Sequence, residues 1–192
     1  MADASAVERD APVDVRPSVA ARLRESALAL DVALASGMAL VAGMIRLGAP
    51  SLWVDESFTA RAVDLRFGQL LDHQYHVLYY VLLKPWVAIA GSSEAALRFP
   101  SVLGTMLSCA LLVLLAHKLF DRRVALVGGL FLALSPFLVK WSQQARGYTL
   151  IVAVALLASL LLVRALERES RSAWAIYGAR VRLAVAAELW KR

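Results

Sequence analysis

Long apolar runs that lack charged residues constrain the fold of this chain more than any other feature. The runs cover residues 27–48, 99–116, 124–139 and 147–163. The last three contain no Asp, Glu, Lys or Arg, and the first holds only Asp31 and Arg46, near its ends. Because a helix needs about 20 mostly apolar residues to cross a bilayer, each run predicts a membrane span. With flanking residues added, the predicted spans are residues 27–48, 98–117, 124–140 and 147–164.

Composition supports a membrane protein and argues against a soluble one. Hydrophobic residues make up 60% of the chain and charged residues 19%, whereas soluble domains are roughly half apolar and a quarter charged. The net charge of +6 comes from basic residues that flank the apolar runs, so membrane topology explains it and no nucleic-acid partner is predicted. The predicted fold class is an all-α, polytopic transmembrane helical bundle.

The stretch 75–91 is apolar but does not resemble a span. Lys84 and Pro85 lie in its middle, where a charge is costly in lipid and a proline breaks a helix. Several Tyr and Trp side chains accompany them, and these residues concentrate at the membrane–water boundary. We therefore predict a helix that lies in the interface, inside an external loop of residues 49–97.

The distribution of Lys and Arg tests this interpretation. Basic residues concentrate in the N-terminal region, in the turn 117–123 and in the tail 164–192. All three fall on the cytoplasmic side only if the stretch 75–91 does not cross. The predicted organisation is a disordered cytoplasmic leader (1–26), a transmembrane part (27–163) and a basic cytoplasmic tail (164–192). The N-terminus is predicted to be cytoplasmic.

Two adjacent carboxylates follow the first predicted span. Asp55 and Glu56 lie just outside the membrane in this topology, where a carboxylate could act as a general base or bind a metal ion. The alternative is a pair of acidic residues at the start of a helix, where negative charge is favourable.

Three further polar groups fall on the same external side. His76 could contact a substrate phosphate or hydroxyl, or could simply face water. Arg146 could bind a phosphate or could extend towards the interface as a structural side chain. Arg98 could pair with Glu94 four residues earlier or contact substrate.

Small residues within the apolar runs have a structural interpretation. Gly104 and the pair Gly128–Gly129 are predicted to permit close helix packing. The single cysteine, Cys109, excludes a disulfide framework or a cysteine-based metal site.

Three stretches combine the polar groups above with apolar sequence: LWVDESFTARA (52–62), HVLYYVLLKPWVAIAGSSEAALRFPSVLG (76–104) and LALSPFLVKWSQQARGYTL (132–150). In their order and spacing they resemble the membrane glycosyltransferases of the C-type fold, a group that includes the protein O-mannosyltransferases of glycosyltransferase family 39 and the aminoarabinose transferases. The family's H-P-P-L-Y-Y pattern is replaced here by His76-Val-Leu-Tyr.

The resemblance implies roles for individual residues. Asp55 corresponds to the catalytic or metal-proximal carboxylate, with Glu56 beside it. His76, Lys84, Arg146 and Tyr148 correspond to substrate-binding positions, and Arg146 would stabilise the departing phosphate. The resemblance implies no certain cofactor and leaves a divalent cation open, with Asp55 as its ligand.

The resemblance also implies partners and a location. The donor would be a sugar on a polyprenyl phosphate or diphosphate, and the acceptor a hydroxyl of a glycan, lipid or protein. Transfer would occur on the external face of the cell (inner) membrane. Relatives continue with further spans, so we expect a truncated product that is inactive by itself. The alternative is a non-enzymatic small membrane protein, such as an assembly subunit or part of a transporter.

Overall fold

The computed structural model of the chain describes residues 19–66, 68–69, 77–168, 174–175 and 177–182. The helices whose bounds are defined in this part of the chain are α1 (Val19–Met44), α2 (Val54–Ala62), α3 (Val77–Ala90), α4 (Glu94–Leu119), α5 (Arg122–Ala133), α6 (Pro136–Ser142) and α7 (Tyr148–Arg168). The described residues contain no strand. The all-α prediction is confirmed.

Among the described residues, three helices are long and apolar enough to cross a membrane: Leu23–Met44 within α1, Glu94–Leu119 (α4) and Tyr148–Glu167 within α7. They correspond to the first, second and fourth predicted spans, with shifted ends. α1 begins at Val19, so residues 19–26 of the predicted leader are helical, while residues 1–18 lie outside the described part.

The third predicted span, 124–140, is not one continuous helix. α5 ends at Ala133, α6 begins at Pro136, and the two are bent by 55°. Proline lacks the backbone N–H and its ring would clash with the preceding turn of a continuous helix. The Ser135 N–H instead donates to the Leu132 carbonyl at 3.2 Å and closes the end of α5. The charge-free run therefore contains a break between two helices that its hydropathy does not reveal.

α4 lies at the centre of the bundle and packs against α1, α5 and α7. Two glycines allow this. A Cβ at Gly129 would lie 2.4 Å from Val113 Cγ2, and one at Gly104 would lie 2.6 Å from Thr149 Oγ1. The predicted role in close packing holds for both. A Cβ at Gly128 would meet nothing within 4 Å, so this glycine is not needed for helix contact.

Asp31 forms an ion pair between two helices. It is buried within α1. The Arg122 guanidinium at the start of α5 donates to both of its carboxylate oxygens, at 2.7 and 2.9 Å. This bidentate pair joins α1 to the turn between α4 and α5.

α3 has 14 residues, about 21 Å in length, which is short for a hydrocarbon layer of about 30 Å. Its position relative to the bilayer stays a prediction. Tyr79 and Tyr80 are buried against the protein, so packing accounts for these two aromatic residues. The Tyr79 hydroxyl donates to the Leu97 carbonyl at 2.8 Å, and the Trp86 indole stacks on Phe99 at 5.2 Å. These contacts hold α3 against the first turns of α4.

Gly129→Ala should destabilise the bundle, because the new methyl group would overlap Val113 on α4. Overpacking of this kind costs about 1–3 kcal/mol. Gly128→Ala is the matched control on the same helix and should leave stability unchanged or raise it, since alanine favours helix over glycine. Thermal unfolding in detergent, followed by tryptophan fluorescence, measures both. Equal melting temperatures for the two variants would contradict the packing described above.

Candidate active site

The two adjacent carboxylates lie in the first turn of α2 but face different environments. Successive residues on a helix point about 100° apart. The Glu56 side chain is turned into the protein and is buried, whereas the Asp55 side chain is 68% exposed. Glu56 Oε2 also accepts from the Trp53 N–H at 3.1 Å, which satisfies a donor at the start of the helix.

Glu56 forms a buried ion pair with Arg98 of α4. The Arg98 Nε and Nη2 groups donate to the two carboxylate oxygens at 2.8 and 2.7 Å. The Ala145 N–H donates to Glu56 Oε1 at 2.8 Å. The pair therefore links α2, α4 and the segment between α6 and α7.

The remaining donors of Arg98 are also used. Its Nη1 donates to the Leu47 and Pro50 carbonyls at 2.8 and 2.9 Å, and its Nη2 donates to the Ser51 carbonyl at 3.1 Å. All five N–H groups of the guanidinium are thus bonded to the protein. The alternative of a pair with Glu94 is wrong, because the partner of Arg98 is Glu56.

Hydrogen bonding determines the charge state of Glu56. Burial raises the pKa of its carboxyl, but the hydrogen bonds from Arg98, Ala145 and Trp53 together outweigh burial, and the net pKa lies below the usual value of 4.5. Glu56 therefore remains ionised and acts as a structural anion. This placement does not favour the catalytic role expected for Glu56, because both of its carboxylate oxygens already accept hydrogen bonds within the protein.

Asp55 and Arg146 form a second, accessible ion pair. Arg146 Nη2 lies 3.0 Å from Asp55 Oδ2, and the Arg146 side chain is 20% exposed. Within the described residues, Arg146 Nε is buried without a hydrogen-bond partner. Unlike Arg98, this guanidinium therefore retains an unsatisfied donor beside an exposed carboxylate.

The backbone around Arg146 is held from two sides. The Thr59 hydroxyl of α2 donates to the Ala145 carbonyl at 3.0 Å. The Ser101 hydroxyl of α4 donates to the Arg146 carbonyl at 2.9 Å. These bonds place the Arg146 side chain beside the first turn of α2, so two residues separated by 91 positions in sequence meet at one site.

Lys84 holds the other end of α2. Its Nζ donates to the Val63 and Leu65 carbonyls at 2.7 and 2.6 Å. A cation at the C-terminus of a helix is favourable because the last carbonyls lack partners. Two of the three ammonium donors are therefore used within the protein, which accounts for a lysine in the middle of an apolar stretch.

The other predicted site residues are placed as follows. His76 lies outside the described residues. Tyr148 begins α7, and its ring contacts that of Trp141 with centroids 4.4 Å apart. Ser142, part of the family-like segment, is buried and its hydroxyl donates to the Val139 carbonyl at 2.7 Å.

The described side chains do not fit a divalent cation site. Among them, no group of three or more His, Cys, Asp or Glu residues could hold a metal ion. Asp55 has a guanidinium beside it, and Glu56 is paired with Arg98. Positive charges next to both carboxylates oppose cation binding, so no step of the chemistry below is assigned to a metal.

Sequence reasoning missed the role of Arg98. The available signal was a basic residue next to an apolar span on the predicted external side, together with an adjacent acidic pair that could supply one buried partner. Thr59 gave no such signal, because its hydrogen bond to the Ala145 carbonyl depends on two segments that are distant in sequence coming together in the fold.

Comparison with known proteins identifies the matching region. The family model described as dolichyl-phosphate-mannose-protein mannosyltransferase matches residues 77–187, which is more than half of the chain. This range includes Arg98, Arg146 and Tyr148 and begins after the acidic pair of α2. No curated protein and no solved structure gives a significant match.

Glu56→Gln should lower the free energy of unfolding by about 3–5 kcal/mol, because it leaves the Arg98 guanidinium buried without a counter-charge. Asp55→Asn is the matched control, since it removes an exposed carboxylate from the neighbouring position and should cost less than about 1 kcal/mol. Thermal unfolding in detergent measures the difference. Comparable losses in the two variants would contradict the structural role of Glu56.

The pH dependence gives this comparison a second readout. The folded-state pKa of Glu56 lies below the usual 4.5, so its contribution to stability is complete above about pH 4.5. It is lost as the pH falls through the lower folded-state pKa. Glu56→Gln should remove this part of the acid sensitivity, and Asp55→Asn should retain it.

Proposed function

Since this chain belongs to the dolichyl-phosphate-mannose-protein mannosyltransferase family, we propose that it transfers a sugar from a polyprenyl-phosphate-type donor to an acceptor hydroxyl. The family is one of glycosyltransferases, and the chain is a multi-pass membrane protein. The observation that carries the proposal is the accessible pair of Asp55 and Arg146, beside the sealed pair of Glu56 and Arg98.

Asp55 is the proposed general base. Its carboxylate is exposed, and Glu56 beside it is committed to a buried pair, so only one of the two acids can meet a substrate. It would accept the proton of the acceptor hydroxyl as the oxygen attacks the anomeric carbon of the donor sugar. The bond from that carbon to the phosphate oxygen breaks, and the polyprenyl phosphate leaves.

Arg146 is the proposed partner of the leaving phosphate. A guanidinium binds phosphate oxygens through charge-assisted hydrogen bonds, which strengthen as negative charge develops on the leaving group. Because Arg146 Nε has no hydrogen-bond partner, the side chain can reorient towards a ligand without breaking a hydrogen bond at this atom. His76 and Tyr148 remain proposed contributors to substrate binding, and Lys84 is proposed to act through the position of α2.

A lipid-linked donor suits the location of this pair. The polyprenyl tail can remain in the bilayer while the phosphate reaches a site at the ends of the membrane helices. α2 and α3 follow α1 directly in sequence and carry exposed apolar side chains such as Phe58 and Ile89. We propose that this side of the molecule is external, in the cell membrane, with the N-terminus cytoplasmic.

The alternative of a non-enzymatic membrane subunit or transporter part explains the spans equally well. It gives no reason for an exposed carboxylate and a guanidinium to be held together by hydrogen bonds from α2 and α4. Membership of a glycosyltransferase family also favours the enzymatic function.

In a chain extended by the further spans that the resemblance implies, Asp55→Asn should reduce sugar transfer by about 10²–10⁴-fold, the usual contribution of a general base. Donor binding should persist, because the variant retains Arg146. Arg146→Gln should instead weaken donor binding by about tenfold or more through loss of a charge-assisted hydrogen bond. Donor binding is measured with a radiolabelled polyprenyl-phosphate sugar and the protein in lipid nanodiscs. Sugar transfer is measured with the same donor in membranes that contain the protein.

Two exposed residues near α2 supply matched controls. Asp64→Asn removes a carboxylate and Arg61→Gln a guanidinium from the same segment, and neither should alter binding or transfer. Undiminished transfer by Asp55→Asn, or equal donor binding by Arg146→Gln and Arg61→Gln, would refute the proposed roles. Failure of the unmodified protein to bind the donor would refute the proposed function.

The proposed orientation predicts a labelling pattern in intact cells. In a Cys109→Ala background, Ser92→Cys should react with a membrane-impermeant maleimide from outside, since Ser92 is exposed in the turn between α3 and α4. Phe120→Cys, exposed between α4 and α5, should react only after permeabilisation. Labelling of both positions under the same condition would show that α4 does not cross as proposed.

A further inference from the structure

A pocket lined by both charged and apolar side chains, separate from the Asp55–Arg146 pair, opens between the end of α1 and α6. Its volume is about 460 Å³, within the usual range of small-molecule sites. The residues that line it include Arg46, Trp53, Lys140 and Gln143, but not Asp55 or Arg146. The pocket therefore belongs to the same end of the bundle as the proposed active site without sharing its charged pair.

The pocket carries an uncompensated positive charge. Its basic lining residues are Arg46, Arg98 and Lys140, and its acidic lining residue is Glu56. Glu56 and Arg98 neutralise each other. Within the described residues, neither Arg46 nor Lys140 forms an ion pair, and the Lys140 ammonium lies 5.6 Å from the centroid of the Trp141 ring, so the two cations at the cavity have no counter-charge.

Arg46 occupies a backbone conformation that disfavours an arginine. Its φ is +57°, the only positive φ of a non-glycine residue in the described part of the chain. Left-handed positions after a helix usually hold glycine, because a Cβ is strained there. Strained backbone positions often occur at functional sites, and the side chain of this strained arginine lines the pocket.

The surroundings of the pocket favour a ligand that is partly apolar, such as a membrane lipid. Exposed apolar side chains lie beside the pocket, among them Ile45, Trp53 and Phe137. Gln143 is fixed on one wall, because its amide donates to the carbonyl of Ala42 in α1 at 3.3 Å and to that of Ile45, just after α1, at 2.9 Å. An anion held by the two cations would therefore have apolar groups beside it, as a lipid headgroup does.

We propose that this pocket binds the phosphate of a membrane lipid, with Arg46 and Lys140 as its ligands. The phosphate would be held by charge-assisted hydrogen bonds, and the acyl or prenyl chain would leave over the apolar rim. Two lipids share this chemistry: an ordinary anionic phospholipid and the polyprenyl phosphate released by the proposed transfer. The phospholipid case does not depend on the proposed function, and the polyprenyl case does.

Retention of lipid during native mass spectrometry tests the site. The protein is released from nanodiscs of phosphatidylcholine that contain either phosphatidylglycerol or polyprenyl phosphate. Retention of an anionic lipid over phosphatidylcholine is expected. Retention should fall about tenfold in Arg46→Gln or Lys140→Gln and further in the double variant, since each loses a charge-assisted contact. Arg61→Gln, which removes an exposed arginine outside the pocket, is the control.

Arg46→Gly separates binding from folding. Glycine relieves the left-handed backbone, so its melting temperature should equal or exceed that of the unmodified protein while lipid retention falls. Arg146→Gln should retain phosphatidylglycerol fully, which distinguishes this site from the proposed donor site. Preferential retention of polyprenyl phosphate would identify the carrier lipid as the ligand of the pocket. Preferential retention of phosphatidylglycerol would identify an ordinary phospholipid as the ligand. Equal retention of phosphatidylcholine, or undiminished retention by the double variant, would overturn the proposal.

Discussion

The buried pair of Glu56 and Arg98 is the interaction on which the rest of this end of the molecule depends. Two charges removed from water are costly unless hydrogen bonds compensate them fully. Here the guanidinium also binds three carbonyls between α1 and α2, and the carboxylate binds the Ala145 N–H. One pair of side chains thus fixes four segments of backbone. The positions of Asp55 and Arg146 follow, since each is the immediate neighbour of a bonded residue.

The sequence predicted most of the helices, and it placed Asp55 and Arg146 on one side of the membrane without predicting that they form an ion pair. Long apolar runs identified α1, α4 and α7, because apolar length is what a bilayer requires. The bend before Pro136 was not predicted, since the apolar run continues through it and hydropathy does not register a missing N–H. The juxtaposition of Asp55 and Arg146 followed from placing both residues on the same side of the membrane.

The Glu56–Arg98 pair escaped prediction for a different reason. Its residues are separated by 42 positions, and a closer acidic residue, Glu94, offered a local alternative. Which of two adjacent acids turns inward depends on the rotation of α2 about its axis. Contacts with distant segments, such as that of Thr59 with Ala145, determine this rotation. The role of Lys84 could not be predicted either, because the two carbonyls that it binds become available only where α2 ends.

The connection between α4 and α5 has implications for how the chain is inserted during synthesis. Only Phe120 and Asp121 separate the two helices, and the Asp121 carboxylate accepts from the Val124 N–H to begin α5. α5 has 12 residues, about 18 Å, too few to cross the hydrocarbon layer unaided. In the proposed topology, α5 enters lipid as the second arm of a helical hairpin, drawn in by the long apolar arm that precedes it. The basic residues at its start would then remain on the side from which the ribosome delivers the chain.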